Sequence, residues 1–233
     1  MNTINISQNF FSTIFWKRIF ENQEFWQKDK NYLFQKLDDL NSLIVKAEYN
    51  TGSICPLTAW ILYCLIRFYK PQKVLEIGTF IGKSTLSIAI AMDNTCINNG
   101  EIHTCDISNS IDLPNDTKCK IIQYKKTSST QMFQSLRDKS LNFFSFVYID
   151  GRLSEDDIEL LSLLTVKNTI IVLDDFEGYE KGVANYILLK KIEQFKSFLV
   201  YPPSIDIVKN LNFLSHSTTA VMIPSETIKL SNQ

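Results

Sequence analysis

Apolar residues recur every three or four positions through the first 50 residues: Phe11, Phe15 and Ile19, then Phe25 and Trp26, then Leu33, Leu37, Leu40 and Ile44. That spacing puts them on one face of successive helices, so two or three amphipathic helices are predicted before any strand. The stripe is expected to pack on the rest of the protein or on a sister subunit; membrane-surface binding would call for more Lys and Arg opposite it. After the turn-like Asn50-Thr51-Gly52-Ser53, Pro56 sits where a first-turn proline is tolerated, an apolar helix runs from Leu57 to Tyr69, and Pro71 stops it.

Beyond Pro71 the period changes. Short apolar runs at residues 73–77, 101–106, 121–125, 143–150, 169–174, 198–201 and 218–223 alternate with helical stretches near 83–93, 128–138, 155–164 and 182–195. Strand–helix alternation of this kind predicts an α/β fold with a mostly parallel, seven-stranded sheet and helices on both faces. The expected division is an N-terminal helical extension over residues 1–50, acting as a cap or oligomer contact, and one domain over 51–233. In such sheets ligands bind beyond the carboxyl ends of the strands, so the residues just after each strand are where chemistry is sought.

Composition narrows the field. Of 233 residues, 45% are apolar and 21% charged, an ordinary globular balance. Lys and Arg total 24 against 25 acids, which leaves no positive field to gather a nucleic-acid backbone. Five cysteines (Cys55, Cys64, Cys96, Cys105, Cys119) are an odd number without C-x-x-C spacing, so they read as thiols of a reducing compartment and not as a disulfide framework or zinc knuckle. The first residues lack a basic leader followed by an apolar stretch, and no run approaches the roughly 18 apolar residues that span a bilayer. A cytoplasmic, soluble protein without stable membrane insertion is expected. With only His103 and His216 present, any metal must be held by oxygen.

The first strand runs into a glycine turn and a helix: Lys73-Val74-Leu75-Glu76-Ile77-Gly78-Thr79-Phe80-Ile81-Gly82-Lys83-Ser84-Thr85. Two glycines let the backbone turn tightly and let a ligand approach closely, and Ser84 and Thr85 can cap the helix start. The spacing is neither G-x-G-x-x-G nor G-x-x-x-x-G-K-[ST], so dinucleotide and triphosphate binding lose weight. An acid at Glu76 in an otherwise apolar strand is more than a structural loop needs.

Val74–Thr85 resembles the first motif of the class I S-adenosylmethionine-dependent methyltransferases. The resemblance implies a Rossmann-like methyltransferase fold and a cofactor site including Glu76, Gly78, Phe80, Gly82, Ser84 and Asp150. Gly78 and Phe80 would face the methionine part and Ser84 would help hold its carboxylate. Asp106, ending the second strand, suits the vicinal hydroxyls of a ribose. Ile107 would offer apolar surface to one adenine face, and Ser128 would lie near the adenine edge. Between Asp106 and Ile121 the chain is polar and carries Pro114 where the family places a full helix, so a truncated or missing helix is expected. The adenine side would then be open, or covered by the N-terminal helices.

Two apolar strands end in aspartate, at Phe146-Val147-Tyr148-Ile149-Asp150 and Ile170-Ile171-Val172-Leu173-Asp174-Asp175. As neighbours in a parallel sheet they bring Asp150, Asp174 and Asp175 to one rim, where the simplest relief of repulsion is a divalent cation: Mg²⁺, Mn²⁺ or Ca²⁺. The arrangement resembles the cation-dependent small-molecule O-methyltransferases of the catechol and caffeoyl-coenzyme A type, and the subgroup with an I-D-G-x-H-x-Y segment. That resemblance implies metal ligation by Asp150, Asp174 and Asp175, with Asp150 as catalytic residue. The expected histidine is replaced by Leu153 and the usual lysine is absent there, so no general base is assigned: either the metal alone acidifies the hydroxyl, or a residue such as Glu177 or Lys181 substitutes, or the catalytic function has drifted.

The reading that results is a methyltransferase moving a methyl group from S-adenosylmethionine to the hydroxyl of a small molecule with a divalent cation. Its rivals are a metal-independent N- or C-methyltransferase and a non-catalytic nucleoside-binding domain of the same fold. The N-terminal helices and residues 203–217 are candidates for a substrate lid or a homodimer contact.

Overall fold

The computed structural model describes residues 2–21, 23–41, 53–95, 99–108, 112–113 and 116–224. Ile44, the turn at residues 50–52, Cys96 and Pro114 lie outside the described residues. Helices α1 (Asn2–Phe20), α2 (Gln23–Asn41) and α3 (Pro56–Tyr69) precede the first strand. Strands β1 (Lys73–Ile77), β2 (Glu101–Asp106), β3 (Lys120–Lys125), β4 (Phe144–Ile149) and β5 (Thr165–Leu173) alternate with α4 (Lys83–Asn94), α5 (Ser129–Asp138) and α6 (Glu155–Leu164). Helix α7 (Lys181–Leu189), β6 (Ser197–Val200), α8 (Ile205–Asn210) and β7 (Ala220–Pro224) complete the chain. The strands form one seven-stranded sheet in the order β3-β2-β1-β4-β5-β7-β6, parallel except for β7, which is antiparallel to both β5 and β6. The expected α/β architecture is the one observed.

Local chemistry sets the element ends. Helix α3 starts at Pro56 behind the Cys55 cap and stops at Lys70, whose left-handed backbone precedes Pro71. Helices α5 and α6 each open with a capping box, Ser128 with Gln131 and Ser154 with Asp157. Period-2 alternation then divides the sheet. Val74, Phe146, Tyr148, Ile170 and Val172 enter the layer shared with α1–α4, while Leu75, Ile77, Val147, Ile149, Ile171 and Leu173 enter the layer of α5–α7. No helix among the described residues is long and apolar enough to cross a membrane.

The N-terminal stripe packs on this chain itself. Trp16, Ile19, Phe20, Leu33, Leu37 and Leu40 are buried in the first layer. The Trp16 indole N–H donates to the Tyr201 carbonyl at 2.7 Å, and Lys30 donates to the Leu211 carbonyl at 2.8 Å. Residues 203–217 hold the short helix α8, which the sequence pattern did not suggest, and Ile207, Val208, Leu211 and Phe213 are part of the same core.

Two boundaries differ from expectation. Residues 166–168, which fall between the expected helix near 155–164 and the expected strand at 169–174, lie inside β5, whose register against β4 shifts between Phe144 and Phe146. Thr169 bridges the irregularity, its hydroxyl 2.8 Å from the Phe144 carbonyl. The helix expected over 182–195 ends at Leu189 and is followed by a separate 3₁₀ turn at Glu193–Phe195. Helix α7 abuts the end of β5 at Gly182, where a Cβ would collide with the Asp174 carbonyl oxygen and lie 2.9 Å from the Asp175 carbonyl group.

Two outcomes follow for stability. Trp16→Ala, which removes a fully buried ring and its hydrogen bond, should cost about 3–5 kcal/mol in chemical denaturation. Gly182→Ala should cost about 1–3 kcal/mol, because the obstructing atoms are backbone and cannot swing aside.

Candidate active site

The strand registers place the functional positions level. Ile77 pairs with Cys105 on one side and Ile149 on the other, and Ile149 pairs with Leu173. The next residues, Gly78, Asp106, Asp150 and Asp174, therefore stand side by side on the carboxyl rim. Backbone pairing continues one step past the strands: Asp150 N–H donates to the Ile77 carbonyl at 2.8 Å and Asp174 N–H to the Ile149 carbonyl at 3.0 Å.

The glycine turn is shaped by left-handed backbone at Gly78 (φ 102°), Phe80 (φ 43°) and Gly82 (φ 83°). A Cβ on Gly78 would sit 3.1 Å from the Asp150 carbonyl group, and one on Gly82 would strike the Leu113 side chain. Asp106 fastens the turn to β2, accepting from Phe80 N–H at 2.6 Å with one oxygen and from Ser108 N–H at 2.7 Å with the other. The Ser108 hydroxyl donates to the same Asp106 oxygen as its amide. Beneath the turn, Glu76 is fully buried. Its Oε2 accepts from the Thr85 hydroxyl, and Oε1 has no hydrogen-bond partner among the described residues. Burial raises its pKa, against the nearby hydroxyls of Ser84, Thr104 and Thr85.

A narrow cleft of about 10 Å³ lies over this turn between Ser53, Gly78, Phe80, Lys83, Ser84 and Asp150. The structure thus brings Gly78, Phe80, Ser84 and Asp150 together on one cleft and ties Asp106 to its wall. Ile107 follows on the rim with 74% of its surface exposed. Ser128 serves as the N-cap of α5, accepting from Gln131 N–H at 3.2 Å. Where a full helix was expected to be truncated, the described residues between β2 and β3 form none; Leu113 covers Gly82, and Asp116 pairs with Lys36 of α2 at 3.2 Å.

The three aspartates are close in the fold but do not converge on a common point. Asp174 continues the alternation of Ile170 and Val172, so its side chain turns into the α1–α4 layer and is only 5% exposed. One oxygen accepts from the Tyr148 hydroxyl at 2.9 Å and the other from Thr219 at 3.0 Å; Thr219 in turn meets Thr58 at 3.1 Å. Asp150 and Asp175 are bridged by Lys181, whose ammonium lies 2.5 Å from Asp150 Oδ1, 3.0 Å from the Asp150 carbonyl and 2.8 Å from Asp175 Oδ2. No group of three His, Cys, Asp or Glu side chains among the described residues is arranged to hold a metal ion. Of the three acids expected to ligate a metal, Asp174 faces inward, and the Lys181 ammonium lies between Asp150 and Asp175.

Burial and the neighbouring Asp174 charge push the Asp150 pKa well above the usual carboxylate range, while Lys181 draws it back. Burial alone would lower the Lys181 pKa, but Asp150 and Asp175 outweigh it and raise the value. Asn185, one turn along α7 from Lys181, accepts from Leu153 N–H at 3.0 Å and donates to the Gly151 carbonyl at 2.7 Å, holding the loop after β4. Neither Asn185 nor Tyr148 was anticipated; the i, i+4 spacing of Lys181 and Asn185 is the signal that would have found the first.

Comparison with known proteins agrees with this architecture. The model of the O-methyltransferase family matches residues 27–175. The O-methyltransferase ankF of Aspergillus thermomutatus is 30% identical over 128 residues, covering 52% of each chain, so this chain spans about half the length of the curated relative it matches. Among solved structures, an O-methyltransferase from Bacillus cereus, in complex with SAH, superposes with a TM-score of 0.53 at 13% identity, covering 84% of this chain and 91% of that one. TomG of Streptomyces achromogenes, an O-methyltransferase in complex with SAM, gives 0.50 at 14% identity, with 88% and 99% covered. The chain belongs to the O-methyltransferase family and has the fold of the class I S-adenosylmethionine-dependent methyltransferases.

Proposed function

We propose that this protein transfers a methyl group from S-adenosylmethionine to a hydroxyl of a small molecule. The observation that carries the reading is the glycine turn: two ligand-accommodating glycines, fastened by Asp106 and lying over a buried Glu76 with one unsatisfied carboxyl oxygen. A fully buried polar atom without a partner is costly, and a polar ligand seated in the turn would relieve it. Family membership supports oxygen as the receiving atom.

When bound, the cofactor supplies a methyl group activated by a sulfonium. The chain's own residues do the rest. Lys83 and the amides of the first turn of α4 give one end of the cleft a positive potential suited to a carboxylate. Asp106 Oδ2 accepts only from Phe80 among the described residues, and it retains a lone pair for a ribose hydroxyl. Asp150 closes the cleft toward the acid rim, where the acceptor hydroxyl would be oriented. The acid rim enters this reading as charge already compensated by Lys181, not as a metal cage. A cytoplasmic setting belongs to the same proposal, supported by Cys55, Cys64, Cys105 and Cys119 being free thiols. So does the assignment of residues 1–50 as a cap on a domain spanning 51–233, supported by the packing of α1 and α2 over α3, α4 and β6.

Isothermal titration with S-adenosylmethionine or S-adenosylhomocysteine tests the proposal: saturable binding supports it, and no binding by the folded protein contradicts it. Asp106→Ala should weaken binding by roughly 10–100-fold, the worth of a hydrogen bond to a charged group plus a loosened turn. Unchanged affinity would remove Asp106 from the site. Gly82→Ala should lower both cofactor affinity and stability, the latter by about 1–3 kcal/mol, since the position combines left-handed backbone with contact against Leu113.

A further inference from the structure

We propose that the Lys181 ammonium is a resident cation: it fills, from within the chain, the position between Asp150 and Asp175 that a divalent ion would otherwise take, so the acid rim neither binds nor uses a divalent metal. The second half of this statement rests on the methyl-transfer reading above; the first does not.

Three oxygens surround the ammonium, at 2.5, 2.8 and 3.0 Å, and they match its three donors. A divalent cation at the same point would take those oxygens at roughly 2.0–2.6 Å and would lie within a few ångströms of the ammonium, which repels it. Asp174 is 5% exposed and turned toward the core, where its two oxygens accept from the Tyr148 and Thr219 hydroxyls, so joining a cage at this point would draw it away from them.

The lysine is also held where helix electrostatics disfavour it. Lys181 is the first residue of α7, at the positive end of the helix, where acids and not bases are stabilised. Its neighbours fix it there. Gly182 permits contact with the end of β5, and Asn185 ties the next turn to Gly151 and Leu153. The side chain is 27% exposed, so the ammonium lies at the rim and not in the core. An acceptor arriving beside Asp150 meets a single positive charge with fixed direction.

The test titrates MnCl₂ into protein stripped with EDTA, by calorimetry and thermal shift, and measures methyl transfer with and without EDTA. For the unaltered protein the expected results are no saturable Mn²⁺ binding, no thermal shift, and turnover indifferent to the chelator. Lys181→Met keeps the apolar stem and removes the charge; it should gain Mn²⁺ affinity by roughly tenfold or more and be stabilised by the ion. Lys181→Arg keeps a cation and should gain none. Saturable Mn²⁺ binding by the unaltered protein overturns the proposal, as does a folded Lys181→Met protein that takes up Mn²⁺ no better. Titrating S-adenosylhomocysteine into the same preparations separates the two readings: absence of nucleoside binding refutes the methyltransferase assignment, while the Mn²⁺ titrations still decide the cation question.

Discussion

Parallel strands in register deliver their next residues to one rim, and in this protein those residues are acids. Asp106 ends β2 and Asp150 and Asp174 follow β4 and β5, with Glu76 just below the end of β1. Carboxylates gathered in a partly dry place repel one another and must be compensated, and the compensation differs at each point along the rim. Asp106 is satisfied by the amides of the glycine turn and of Ser108. Asp174 is satisfied by two hydroxyls in the core. Asp150 and Asp175 share an ammonium. Beneath the glycine turn, Glu76 is fully buried and its Oε1 has no hydrogen-bond partner among the described residues.

Packing on both faces holds this rim in place. On one side the N-terminal helices, α3, α4 and the α8 segment form a continuous apolar layer, so α1 and α2 are part of the core that supports the glycine turn. On the other side α5, α6 and α7 carry buried polar anchors at their first turns. Asp157 joins the starts of α5 and α6 by accepting from Ser129 at 2.9 Å and Thr130 at 2.7 Å, and Asn185 joins α7 to the loop after β4. Helix starts thus converge on the rim, as the right-handed crossovers of a parallel sheet require.

Much of this was legible in the sequence, for identifiable reasons. Lys73–Ile77 lies between Pro71 and Gly78 and Glu101–Asp106 follows Gly100, helix breakers that set off both strands, and both were read to the residue. Strand β5 was expected to start at Thr169 because Lys167 and Asn168 interrupt the apolar run, whereas it starts at Thr165 and its pairing with β4 shifts register there. Helix α8 has only six residues, too few to show a period. The site divided along the same line. That the acids share a rim follows from strand endings alone. That Asp174 turns inward follows from its parity with Ile170 and Val172, a signal present in the sequence and outweighed there by its likeness to a metal motif. That Lys181 reaches across from α7 depends on Gly182 seating the helix against β5, a contact no local pattern reveals.

The most direct measurement is an anomalous difference map from crystals grown with S-adenosylhomocysteine and soaked in Mn²⁺. The account predicts a nucleoside along the turn from Gly78 to Gly82 and no manganese peak between Asp150 and Asp175. A manganese peak there with Lys181 swung aside, or an empty glycine turn at saturating nucleoside, would contradict it.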